Sequence, residues 1–511
     1  MPSIITSLTP SQVAQLSTTA IQSLQTTDIA ALSTSQAAAL TSTQVNAMET
    51  VDLQYLAGTQ VASLSTAVVS ALLTLQFDNF TTTQLTQLTS TQVSVLTAGE
   101  FGTLNTTELQ AFSTTQANAI SATQLGGITS TSLNNFSTTQ IAAFSTTQAR
   151  GLTTTQLNNL TAGNLRAVTL SDLTTAQTAG LNTTAIGNLT TTQVSTLAST
   201  QVAVLTTAQL GTLTTTEVQA FSTTQANAIT ATQLGGLTTT AVGNFSTTQL
   251  DALSTTQTRG LTTTQLNALS ATNLNALDLD EFSTGQVLGL TTTAVGNLTT
   301  TQVSTLTSTQ VAVLTTAQIG TLTSTEVQAF STTQANAITA TQLAGITTTA
   351  VGNFSTTQLD ALTTTQTRGL TTTQLNALSS GNLNALDLDE FATSQVAGLN
   401  TTAIGNLTTT QVSTLTSTQV AVLTTAQIGT LTTTEVQAFS TTQANAITAT
   451  QLAGITTTAV GNFSTTQLDA LTTTQTRGLT TTQLNAISAA NLNAIDLDEF
   501  STTQVAGLNT T

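Results

Sequence analysis

From Leu8 onward a large apolar residue returns every eighth position, through Leu16, Leu24, Leu32, Leu40 and Met48 and on to Val168. A step of five residues then leads to Leu173, and the eight-residue spacing resumes. The same short step recurs from Leu277 to Phe282, from Leu386 to Phe391 and from Ile495 to Phe500. Eight-residue and five-residue steps together carry the register from Leu8 to Leu508 with no residue left over. Internal repetition of this kind decides the fold before any local propensity does.

Within an octad the order is regular. In Leu306-Thr307-Ser308-Thr309-Gln310-Val311-Ala312-Val313 the first position is large and apolar, the next three are Ser or Thr, the fifth is Gln and the sixth is apolar. This pattern predicts a helix start. Thr307 is placed as the N-cap, Gln310 falls three residues later to complete a capping box, and Leu306 and Val311 stand at the two ends of a hydrophobic staple. A continuous helix is excluded, because eight residues at about 100° each would wind the apolar stripe around the whole surface. A continuous strand is excluded too, since positions one and six would face opposite sides. A strand with a turn in every octad remains as an alternative that suits the Thr and Val content. It gives no reason for Gln three residues after the cap, so short helices are the preferred reading.

One octad cannot stand alone, because two buried aliphatic side chains return less than the entropy lost in ordering eight residues. The octads must stack. The expected fold is therefore an all-α repeat solenoid of short capped helices, one per 8-residue repeat, with a β-solenoid as the alternative. Phe pairs spaced 24 residues apart, such as Phe330 and Phe354, suggest three octads per coil. A longer period of 109 residues relates the segments after Leu181, Leu290 and Leu399. The expected organisation is an N-terminal octad array at 1-172, repeat blocks at 173-281, 282-390 and 391-499, and the start of a further block at 500-511. Because the chain stops inside a new octad, at Leu508-Asn509-Thr510-Thr511, the array is expected to continue or to be completed head to tail by a second copy.

Composition narrows the function. His, Cys, Lys and Trp are absent, which removes the usual imidazole base, thiol nucleophile, Schiff-base amine and soft metal ligands. No residue earns a catalytic role, and an enzyme is not expected. Five arginines (Arg150, Arg166, Arg259, Arg368 and Arg477) against 22 acids give a net charge of −17, which opposes contact with nucleic acid or an anionic bilayer. The opening MPSIITSLTPSQVAQL lacks a basic stretch and a continuous apolar core, so neither a Sec-type signal nor membrane insertion is expected.

The five-residue steps carry the clustered carboxylates: Asp278, Asp280 and Glu281; Asp387, Asp389 and Glu390; Asp496, Asp498 and Glu499. Hard oxygen ligands this close in sequence are a candidate calcium site that would tie coils or molecules together. The competing reading is an Asp cap followed by acids that favour a helix N-terminus. The equivalent step at Val168 holds Asp172 alone, and the calcium-loop signatures of EF-hands and of nonapeptide β-helices are absent.

Long Ser/Thr/Gln/Asn/Ala-rich repeats with an acidic balance and no cysteine resemble bacterial surface-layer proteins and giant repetitive Ser/Thr-rich adhesins. The resemblance covers the whole chain in composition. It implies an extracellular structural protein at a bacterial cell surface, a repetitive rod that self-associates into a filament, sheath or lattice. An adhesin stalk or binding module recognising carbohydrate, such as a cell-surface polysaccharide, or ice through its hydroxyl-rich faces is the alternative.

Overall fold

The computed structural model describes residues 3–509; Thr510 and Thr511, the last residues of the incomplete octad, lie outside the described residues. Sixty α-helices and five 3-10 turns follow one another along the chain, and no strand is present among the described residues. The preferred reading of the octad, a short capped helix, is the observed one. The chain divides into two compact units, Met1–Leu261 and Thr262–Thr511, each of them an all-α solenoid. The division falls inside the 173-281 block and not at a five-residue step.

The Leu306 octad shows why eight residues suffice for a helix. Thr307 lies outside the helix Ser308–Val311 with extended backbone, φ −69° and ψ 155°. Its hydroxyl accepts from the Gln310 N–H at 3.2 Å, while the Gln310 Oε1 accepts from the Thr307 N–H at 2.7 Å. These reciprocal bonds satisfy donors that every helix N-terminus leaves open. After one turn the helix tightens: the Leu314 N–H bonds to the Val311 carbonyl at 3.1 Å, and the chain turns at Leu314 into the next cap. Leu306 and Val311, the staple pair, are both buried.

Coils are built from three octads. In the first unit the helix Thr34–Ala38 packs on Gly58–Ser63, which packs on Thr82–Gln87; in the second, Ala340–Gly345 packs on Thr364–Gly369. Each of these helices lies three octads from its neighbour. Position-one and position-six side chains from successive coils, such as Leu306, Val311, Phe330, Val351 and Phe354, line a narrow apolar interior. The 24-residue Phe spacing follows from this coil length, although the close ring pairs join other partners: Phe77 with Phe80 at 5.7 Å between centroids, Phe101 with Phe112 at 6.4 Å and Phe136 with Phe144 at 6.1 Å.

The coils are sealed by glutamine. Nε2 of Gln44 donates to the carbonyls of Val13 at 2.8 Å and Leu16 at 2.9 Å, and Nε2 of Gln358 to those of Val327 at 2.8 Å and Phe330 at 2.7 Å. The acceptors stand 31 and 28 residues earlier. They are the last-turn carbonyl of one helix and the corner carbonyl just before the next, groups that a short helix cannot satisfy internally. One buried amide therefore caps its own helix at the N-terminus and a neighbouring coil's helix at the C-terminus.

Where helices approach most closely, side chains disappear. A Cβ built on Gly369 would lie 2.7 Å from both the Cβ and the carbonyl oxygen of Ala340, so glycine is required there for contact and not for backbone conformation; no described glycine has a positive φ.

Candidate functional site

The five-residue steps form 3-10 turns, Leu170–Asp172, Leu279–Glu281, Leu388–Glu390 and Leu497–Glu499. With a step in place of an octad, a coil loses three residues. The glutamine bonds shorten to match: Gln395 Nε2 reaches Thr367 and Leu370, 28 and 25 residues back, at 2.9 and 2.7 Å. Leu170, Leu279 and Leu388 are buried at the start of their turns. In the first three steps a single buried leucine thus replaces a whole helix at a corner of the solenoid, whereas Leu497 is exposed.

The acids divide by role. Asp278, Asp387 and Asp496 occupy the cap position of their turns, with Asp280 and Glu281, Asp389 and Glu390, and Asp498 and Glu499 in the first turn. The Asp-cap reading is corrected here, because none of the three cap-position aspartates forms a side-chain cap bond. The N–H three residues on bonds to the aspartate's main-chain oxygen, at 3.2 Å for Glu281 and Glu390 and 3.1 Å for Glu499. The last acid of the step is instead bound from the coil below. Glu390 Oε1 accepts from the Thr364 hydroxyl at 2.6 Å and its Oε2 from the Thr367 hydroxyl at 3.3 Å, while Arg368 Nε donates to the Glu390 main-chain oxygen at 2.9 Å. Glu499 is held in the same way by Thr473 at 3.0 Å, Thr476 at 2.9 Å and Arg477 at 3.1 Å. At the shorter-chained step, Asp172 is held by the Thr146 hydroxyl at 2.8 Å and by Arg150 Nε at 3.1 Å.

This geometry explains two sequence features. Thr367 and Thr476 replace the apolar residue at position six and are buried, because each must hand a hydroxyl to a glutamate. Arg368 and Arg477 reach a main-chain carbonyl, so their part at the step is to satisfy the turn's backbone. Arg166 Nε does the same for the Asn188 carbonyl at 2.8 Å. The arginines follow one rule: each of these bonds spans 22 residues.

The remaining carboxylates face a crowded field. Burial pushes the Asp387 carboxyl above the ordinary aspartate value, and the charges of Asp389, Glu390 and Asp360 push in the same direction. Asp360 belongs to the helix Thr356–Asp360, outside the clustered acids of the step; its proximity follows from the coil length. Among the described residues no three acidic side chains converge closely enough to hold a metal ion.

Three clefts of the second unit are shallow and polar. One of about 350 Å³ is lined by Thr348, Asn353, Ser379 and Asn382. Another, lined by Thr356, Thr357, Asp360 and Ala385, reappears with Thr465, Thr466, Asp469 and Ala494 in the next block. No described helix is long and apolar enough to cross a membrane. No protein family matches this sequence, and no curated protein is similar to it.

Proposed function

We propose that this chain is a structural protein of a bacterial cell surface, acting by self-association into a filament, sheath or lattice and not by turnover of a substrate. The observation that carries the reading is repetition of the chemistry itself: the Gln clamp, the Thr cap and the step held by Thr and Arg return block after block, and so do the clefts. Chemistry on a substrate needs a constellation that occurs once, whereas identical surfaces at a fixed interval suit a lattice of identical contacts. A low density of charge, with 5% charged residues, allows close lateral approach, while a net −17 limits indiscriminate clumping. Calcium at the acidic steps would require Asp278, Asp387 or Asp496 and their neighbouring acids, which do not converge in this structure, to draw together around the ion.

A second reading, a module that binds carbohydrate through hydroxyl-rich faces, is favoured by the recurring clefts in which two threonines stand beside one aspartate. Immunogold labelling of native cells and electron microscopy of the extracted material distinguish the readings. An ordered surface assembly labelled along its length supports the structural role. A soluble cytoplasmic monomer defeats both readings, and dispersed surface molecules that bind a polysaccharide array favour the second.

A further inference from the structure

Most octads bear Ser, Thr, Ala or Gly at positions two to four, and the surface is correspondingly polar. One place differs. Val51, Tyr55, Leu73 and Leu75 are 57%, 53%, 55% and 63% exposed. Val51 lies in the helix Thr50–Leu53, just before Tyr55, and Leu75 in the helix Thr74–Asp78, just after Leu73; these two helices pack on each other in successive coils. Val51 and Leu75 occupy the same octad position on neighbouring coils, between Thr27 and Gly99 in the coils on either side. By contrast, exposed Val204 has Gly180 and Ala228 at its place in the adjoining coils and stands alone.

Both helix starts at this face lack a side-chain cap. Leu73 occupies an N-cap position and provides no side-chain cap. Its N–H is instead taken by Asn46 Oδ1 at 3.0 Å, and Gln76 Oε1, which elsewhere would accept from that N–H, is left buried without a partner. The neighbouring helix, with Glu49 at its N-cap, also lacks a side-chain cap bond. A broken local rule with no gain in packing marks a position kept for another purpose, and a contiguous exposed apolar patch is itself a mark of an interaction surface.

Charge identifies the occupant. Glu49 and Asp78, both exposed, adjoin the four apolar residues, and no lysine or arginine precedes Arg150. A second copy placed face to face would bring the same acids together, and an anionic membrane would be repelled. We infer that Val51, Tyr55, Leu73 and Leu75 form the docking face for a partner protein presenting an amphipathic segment whose apolar side chains are flanked by Lys or Arg. This surface stands on the patch alone and does not depend on the assembly proposed above.

Tyr55 is the sole tyrosine in a chain without tryptophan, so its fluorescence reports this face directly. The full chain is titrated with two synthetic helical peptides free of aromatic residues, one of Leu and Lys and one of Leu and Glu. The Leu/Lys peptide is expected to change the Tyr55 emission saturably, the Leu/Glu peptide to bind at least tenfold more weakly, and the L73T/L75T variant to lose at least tenfold in affinity for the first. L73T restores a capping residue, and V51T/L75T leaves both N-caps untouched; circular dichroism matching the parent chain certifies each variant. Equal binding of the Leu/Lys peptide by parent and variants would reduce the effect to net charge and overturn the proposal. So would no response to either peptide. A Tyr55 signal that depends on protein concentration without peptide, and is abolished in L73T/L75T, would assign the face to a second copy instead.

Discussion

Gln310 Nε2 donates to the main-chain oxygen of Leu279 at 2.7 Å, across 31 residues of sequence. The same amide group donates to Phe282 at 2.8 Å and caps its own helix through Oε1. Replacement of Gln310 by Glu keeps the cap acceptor and removes both donors, leaving a carboxylate against two carbonyl oxygens. The expected loss is about 1–3 kcal/mol, read as faster amide exchange in the step Leu279–Glu281 and in the helix Ser308–Val311. Replacement of Thr307 by Ala removes the cap alone and is expected to cost about 1 kcal/mol. Equal effects of the two changes would mean that the amide acts only within its own octad.

Glycine tests the close contact between coils. Gly369→Ala places a methyl group 2.7 Å from the Ala340 Cβ and is expected to destabilise by about 1–3 kcal/mol through overpacking. Gly405→Ala, in the helix Thr401–Gly405 with nothing within 4 Å of the added atom, is expected to stabilise by about 0.5–1 kcal/mol. Thermal denaturation of the two variants should move in opposite directions.

Glu100 takes the place of a clamp glutamine. It is buried, its Oε2 accepts from the Thr97 N–H and hydroxyl, and its Oε1 has no partner. Burial raises its pKa against the lowering effect of those two bonds. A carboxyl whose folded pKa is raised contributes stability that is complete below its unfolded pKa and is lost as pH rises through the folded value. The parent chain should therefore weaken relative to Glu100→Gln as pH rises above the ordinary glutamate range, with the variant the more stable by about 1–3 kcal/mol at neutral pH. A difference independent of pH, measured by urea denaturation, would show that Glu100 carries no such linkage.

Calcium, if bound, belongs to the acidic steps. Changing Asp387 and Asp389 to Asn and Glu390 to Gln should remove one binding event from a calorimetric titration. Absence of calcium heat in the unmodified protein would end the metal reading and leave the steps as corners held by Thr and Arg.

The capping box and the staple were legible in the sequence because both are set within one octad. The amide's second bond was not, since its partner's distance depends on a coil length that only the Phe spacing suggested. A signal was nevertheless present. Glu completes a capping box as well as Gln and is favoured by the helix dipole, so the recurrence of Gln where Glu would serve points to a needed donor. The same coil length hid the approach of Asp360 to Asp387 and the reach of Arg368 to the Glu390 carbonyl. The apolar face around Tyr55 was visible as aliphatic residues at octad positions two and four, but only stacking places Val51 beside Leu75.

The central claim is that each coil is held only by its neighbours in register, through the apolar interior and the glutamine clamp. Deletion of residues 290–398, one whole 109-residue period, tests it most directly, because the cut rejoins Gly289 to Leu399 in the register that Leu290 held. Hydrogen exchange read by mass spectrometry should then show the protection of residues 3–257 unchanged and that of the retained downstream coils restored. Loss of protection throughout the chain would contradict the account, since it would require contacts that span more than neighbouring coils.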